Sequence, residues 1–203
     1  MAVAAAAAEL TGMEPLSGIP GSVGGACYMN AGTYGSSMAD VLKSVRVYKP
    51  SRPVEDGGIC GSGAIIDFDV DELNLGYRKS RIADDGFIVL SATFRLAPGN
   101  AAMIRADMDG YRERREEKQP LELPSAGSTF KRPEGYFVGK LVTDAGLRGY
   151  QVGGAAVSKK HAGFVVNVGG ATAADVRAVI AHVQDEVERQ FGVRLEPEVR
   201  FLG

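Results

Sequence analysis

Residues 18–35 read GIPGSVGGACYMNAGTYG, and six glycines and a proline in that stretch exclude a helix or an ordinary strand interior there. The segment exposes backbone rather than side chains. Without a Cβ, glycine lets backbone N–H groups come within hydrogen-bond distance of a bound anion, as in loops that cradle a pyrophosphate. The spacing matches neither the dinucleotide fingerprint GxGxxG nor the P-loop GxxxxGK[ST], so a tight surface turn stays open as the alternative. The polar groups between the glycines favour a ligand. The Ser22 hydroxyl, the Asn30 amide and the Tyr34 phenol offer donors and acceptors that a bare turn does not require.

A chain of 203 residues with 45% apolar content can bury a core as one large or two small domains. A net charge of −2 argues against nucleic acid as a partner. No apolar run approaches the roughly 18 residues of a membrane span, and the start, MAVAAAAAEL, lacks the basic n-region and longer apolar core of a signal peptide. A soluble cytoplasmic protein is expected. Cys27 and Cys60 show no CxxC or histidine pairing, so no metal site is expected and both read as packing residues.

Residues 44–49 (SVRVYK) alternate as a half-buried strand does, and 87–96 (FIVLSATFRL) form a second strand rich in β-branched and aromatic residues. Pro98, Gly99 and Asn100 end it. Residues 101–118 read as a helix capped by Asn100, closing in a charged, solvated RERREEK run. Beyond Pro120, Pro124 and Gly127 come a short helix at 137–145 closed by Gly146 and a strand at 163–168. A long amphipathic helix follows at 173–191, with Thr172 and Asp175 as a capping box and Val176, Val179, Ile180, Val183, Val187 and Phe191 on one face. After Gly192, residues 193–201 read as a strand. The order lacks regular βαβ alternation, so the fold class is α+β.

The Gly-rich run, together with LGYRKS (75–80), KQPLELPSAGSTFKRP (118–133), GKLVTDAGLRGYQVGGAAVSKKHAGFVVN (139–167) and EPEVRFLG (196–203), resembles the UDP-N-acetylenolpyruvoylglucosamine reductase family. The five blocks follow the family's order and run from end to end, with Thr33 where the family usually has alanine. The resemblance implies the remainder of a two-lobed FAD-binding domain (1–115, second lobe) and a smaller α+β substrate-binding domain (116–191). A C-terminal strand (192–203) would return to the active-site cleft. The first FAD lobe, which precedes this point in the family, is expected to be missing.

The resemblance further implies an NADPH-dependent flavoprotein reductase that converts UDP-N-acetylglucosamine enolpyruvate to UDP-N-acetylmuramate for peptidoglycan, with FAD and NADPH as cofactors and a UDP-sugar as small-molecule partner. Ile19, Gly21, Ser22, Gly24, Gly25, Asn30 and Gly32 would contact FAD. Tyr34, Tyr77, Arg115, Lys118 and His161 would contact the substrate; Lys131 and Arg132 add positive charge near it, Arg132 standing where some members have asparagine. Reducing an enolpyruvyl ether requires positive charge at the carboxylate and a proton donor for the carbon beside it. The family's motifs place these demands on Arg78, Ser128 and Glu198. Two other readings stay open: an incomplete fragment that only binds UDP-sugar or flavin, and a related flavin oxidase with another substrate.

Overall fold

The structure is a computed structural model that describes residues 1–51 and 63–202; Cys60 lies outside them. The described chain forms two compact units, residues 1–113 and 114–203.

In the first unit, α1 (Ala2–Ala7) and β1 (Leu10–Thr11) precede the Gly-rich segment, which holds α2 (Val23–Tyr28), β2 (Gly32–Thr33) and β3 (Ser36–Ser37). Then come α3 (Met38–Val41), β4 (Leu42–Lys49), β5 (Ala64–Asp69), a 3-10 turn (Val70–Leu73), α4 (Arg81–Asp84), β6 (Ile88–Phe94) and β7 (Ala97–Pro98). β4 is the middle strand of an antiparallel β5-β4-β6 sheet. Its Val45 and Val47 are buried while Arg46 between them is exposed, the period of two that a one-sided sheet imposes, and Leu42 is buried on the far side of a register shift against β6. Cys27, Met38, Leu73 and Ile82 complete this core. Burial pushes the Cys27 thiol up to about 11, as suits a packing residue.

The helix α5 (Ala101–Lys118) begins where expected, with Asn100 Oδ1 accepting from the Ala102 and Met103 amides at 2.9 and 3.1 Å. The second unit continues with β8 (Ser125–Ser128), α6 (Val138–Asp144), β9 (Gln151–Val152), β10 (Ala155–Val157), β11 (Phe164–Asn167) and α7 (Ala173–Phe191). Its sheet is antiparallel throughout, in the order β8-β11-β10-β9. α7 has the predicted bounds because both its ends are specified: Thr172 Oγ1 accepts from Asp175 N, Asp175 answers from the Thr172 amide, and Gly192 stops it at φ +68°. Val179, Val183 and Val187 are fully buried, each burial being worth about 1.5–3 kcal/mol. Phe191 lies at the edge of that face, 37% exposed.

Two expectations are corrected. The Gly-rich segment does contain a helix: Ser22 caps α2 by accepting from Gly25 N at 3.0 Å. Gly24 and Gly25 stand in its first turn, where amides lack intrahelical acceptors and glycine is least costly. Residues 193–201 form no regular strand. They meet residues 129–131 through one antiparallel bridge, Phe130 with Pro197, and Pro197 has no N–H with which to extend a ladder.

Candidate functional site

In the first unit the candidate residues gather where two turns meet. Tyr77 and Arg78 form the tip of a two-residue turn closed by paired Gly76 and Lys79 backbone bonds of 3.0 and 3.2 Å. Arg78 sits at φ +54°, a conformation that a non-glycine residue keeps only when its surroundings hold it. The Arg78 guanidinium donates to the Gly32 carbonyl at 2.9 Å and lies 5.1 Å from the exposed Tyr77 ring. The Ser80 hydroxyl donates to the Tyr28 carbonyl at 2.6 Å.

The side-chain amide of Asn30, a residue expected at the cofactor, makes hydrogen bonds inside the protein. Nδ2 donates to the Gly76 carbonyl at 2.9 Å and Oδ1 accepts from Ala39 N at 3.0 Å, which makes the buried Asn30 a clamp beneath the Arg78 turn. Gly32 has a packing reason to be glycine. A Cβ there would lie 2.5 Å from the Ser36 carbonyl oxygen and 2.8 Å from Ser37 Cβ, across the β2-β3 hairpin. At that hairpin's tip Tyr34, at φ +53°, packs its ring 5.0 Å from Tyr111, an aromatic that no motif singled out.

Residues that could hold a diphosphate-bearing cofactor lie at the start of α2. Pro20, Gly21, Ser22 and Val23 are exposed. Gly21 has φ +121° with no atom within 4 Å of where a Cβ would stand. Backbone can be approached there, and the first-turn amides of α2 lack intrahelical acceptors, that of Gly25 being bonded to Ser22 Oγ. Ile19 is half-buried against the core. Gly21, Ser22, Gly24 and Gly25 could hold an FAD diphosphate on this ground, and Asn30 and Gly32, expected at the same cofactor, also brace the scaffold below.

In the second unit the structure brings Ser128 and Glu198 close in the backbone network. Ser128 is exposed at the end of β8, just past an irregularity of that strand. The register pairs Ser125 with Val166 but Ser128 with Phe164, so β8 carries one extra residue, and Gly127 takes φ +82°, as a β-bulge requires. Half-buried Glu198 donates its N–H to the Thr129 carbonyl at 2.8 Å, one residue beyond Ser128. His161 stands beside this segment: its Nδ1 accepts from Gly163 N at 3.1 Å, and its ring meets Phe164 edge-on at 5.0 Å. Burial, with the Arg148 charge adding to it, holds the imidazole below its usual 6.5. The neutral ring with Nδ1 accepting therefore carries its proton on Nε2 and can donate from there.

The basic residues divide. Lys131 pairs with Glu196, and the Arg132 guanidinium stacks 3.9 Å over Phe137 while Nε donates to the Tyr136 carbonyl at 3.2 Å. Arg115 is half-buried and Lys118 exposed in the last turn of α5. Arg78 belongs to one compact unit and Ser128 and Glu198 to the other. A concavity of about 340 Å³ in the second unit, lined in part by Ser125, Thr129, Asn167 and Thr172, contains none of the candidate residues. Among the described residues no group of His, Cys, Asp and Glu could hold a metal ion, and no helix is long and apolar enough to cross a membrane.

The sequence profile of the UDP-N-acetylenolpyruvoylglucosamine reductase C-terminal domain matches residues 119–202, and that of an FAD binding domain matches residues 1–52. The chain is 56% identical over 204 aligned positions to the UDP-N-acetylenolpyruvoylglucosamine reductase of Agathobacter rectalis, covering all of this chain and 62% of that one. It is 53% identical to the enzyme of the same name from Limosilactobacillus reuteri, covering 98% of this chain and 63% of that one. The chain thus spans somewhat less than two thirds of the length of these relatives. The crystal structure of UDP-N-acetylenolpyruvylglucosamine reductase from Thermus caldophilus shares its fold with a TM-score of 0.80 at 36% identity, over 98% of this chain and 67% of that one. Identity of this degree along nearly the whole chain, joined to a common fold, makes this protein a member of the UDP-N-acetylenolpyruvoylglucosamine reductase family.

Proposed function

We propose that this chain carries the substrate-reducing part of an NADPH-dependent FAD reductase that converts a UDP-N-acetylglucosamine enolpyruvyl ether to UDP-N-acetylmuramate, a peptidoglycan precursor. The observation that carries the reading is the backbone bond from Glu198 N–H to the Thr129 carbonyl, because it brings the segment of Glu198 to within one residue of Ser128 from the opposite end of the second unit. Hydride transfer from NADPH to the terminal alkene carbon of the substrate is the chemistry that FAD would supply when bound. Gly21, Ser22, Gly24 and Gly25 would hold its diphosphate on exposed backbone.

The remaining chemistry falls to side chains. Arg78 offers its guanidinium to the enolpyruvyl carboxylate and stays cationic as negative charge develops there, the kind of preorganised stabilisation worth about 3–4 kcal/mol. Its left-handed turn and its bond to Gly32 fix the guanidinium before substrate arrives. The Ser128 hydroxyl donates a proton to the carbon beside the carboxylate, which hydride addition leaves strongly basic. A protonated Glu198 would donate to the enolate oxygen. Lys118, Arg115 and Tyr34 meet the UDP diphosphate, with Tyr77 and the Nε2 proton of His161 contacting the substrate.

Equilibrating the purified chain with FAD, removing unbound flavin and adding NADPH anaerobically tests this reading. Retained yellow colour, bleached by NADPH and restored by the enolpyruvyl UDP-sugar, is expected. A chain that retains no FAD, or whose reduced flavin is indifferent to that sugar, contradicts it.

A further inference from the structure

We propose that Thr129 is a positioning residue that fixes Ser128 and Glu198 against each other, an inference that rests on the reductase reading above. Thr129 is 2% exposed, and its three polar groups engage three different residues. Its N–H donates to the Gly163 carbonyl at 2.9 Å, and its carbonyl accepts from Glu198 N at 2.8 Å. Its hydroxyl oxygen accepts from Val165 N at 2.8 Å. One buried residue therefore ties together the end of β8 carrying Ser128, the segment after His161, and the C-terminal segment carrying Glu198.

The bulge explains why this position uses a hydroxyl. The extra residue in β8 falls between the Ser125–Val166 and Ser128–Phe164 pairs, opposite Val165, and the Thr129 side chain serves as the acceptor for the Val165 amide. A valine of nearly the same shape would leave that amide buried without a partner, a penalty the sheet relieves only by shifting residues 126–129. Ser128 is one covalent link away and Glu198 one hydrogen bond away, so both move with the shift. A displacement of about 1 Å at reacting groups is enough to cost about 100-fold in rate. Neighbouring contacts would amplify the effect: the Phe130–Pro197 bridge and the Lys131 N to Glu196 carbonyl bond of 2.8 Å continue the same pairing.

The test compares Thr129→Val and Thr129→Ser in FAD-loaded protein, following each half-reaction anaerobically, with amide exchange measured on the 203-residue chain. In Thr129→Val, bleaching of the flavin by NADPH should stay within about twofold of the parent, while recovery of colour on adding the enolpyruvyl UDP-sugar slows by about 100-fold. Exchange at the Val165 and Glu198 amides should accelerate while the amides of α7 stay protected. Thr129→Ser, which keeps the hydroxyl, should restore both. Recovery of colour at the parental rate in Thr129→Val, or a folded Thr129→Ser as slow as the valine variant, overturns the proposal. If the valine variant loses α7 protection, the serine variant alone decides. If the parent protein itself fails to reoxidise with that sugar, the reductase reading fails instead. Glu198 exchange then still judges the positioning role, and an unchanged rate in Thr129→Val rejects it.

Discussion

The two units assemble their candidate residues by different means. In the first, side chains reach across the sequence to distant backbone: Asn30 to Gly76 and Ala39, Arg78 to Gly32, Ser80 to Tyr28. In the second, backbone meets backbone through a bulged sheet register and the pairing of residues 129–131 with 196–198, with the Thr129 hydroxyl bracing the bulge. The first arrangement also holds Asn30, Tyr34 and Arg78 at φ +42°, +53° and +54°, conformations that cost about 1 kcal/mol or more each unless their neighbours compensate. A site built from side-chain ties over strained turns should fail at single side chains. A site built from register should fail where the strand irregularity is disturbed.

Four perturbations would break or sharpen that contrast. The largest effect is expected from Gly32→Ala. The new methyl meets the Ser36 carbonyl in the hairpin and displaces the acceptor of Arg78, so denaturant unfolding of the first unit should lose about 3 kcal/mol. Asn30→Ala follows, at about 2 kcal/mol, because it strands a carbonyl and an amide that the buried side chain now serves; the second unit should be untouched in both variants. Gly127→Ala should cost the second unit about 1 kcal/mol, since φ is +82° but no atom lies within 4 Å of the new methyl, leaving only backbone strain.

The smallest effect is acid sensitivity. His161 is held below its usual 6.5 in the second unit. In the first, burial pushes the Glu14 carboxyl up, but hydrogen bonds from Thr11 Oγ1 at 2.6 Å and Gly12 N at 2.8 Å outweigh it and leave the group below 4.5. Both folded values are depressed, so both contributions are full above the unfolded values and lost as pH falls through the folded ones. The second unit should soften first, below about pH 6.5, and the first below about pH 4.5. NMR titration of His161 alongside unfolding midpoints at successive pH values checks the order; a first unit that softens before the second contradicts it.

Elements with strong local signals were legible in the sequence. The capping box and apolar face of α7, the Asn100 cap of α5 and the alternation of β4 name their own structures because each rests on contacts within a few residues. The Gly-rich stretch misled about α2 because glycine density argues against helix on average, whereas two glycines in a capped first turn cost little. Residues 193–201 misled because they read as a strand after Gly192, whereas Pro197, with no N–H for a ladder, stands at a single bridge. The roles of Asn30 and Thr129 were invisible for a shared reason: their partners lie 46 and 36 residues away, and no spacing rule reaches that far. Family motifs named Ser128 and Glu198 separately, but only the fold shows the Glu198 amide bonded to the Thr129 carbonyl, one residue beyond Ser128.

The central claim is that Ser128 supplies the proton after hydride transfer to the enolpyruvyl group. The most direct measurement compares both half-reactions in Ser128→Ala with the parent protein loaded with FAD. The expected result is flavin reduction by NADPH at the parental rate and reoxidation by the enolpyruvyl UDP-sugar slowed by about 10²- to 10⁴-fold. Reoxidation at the parental rate in Ser128→Ala would contradict the claim.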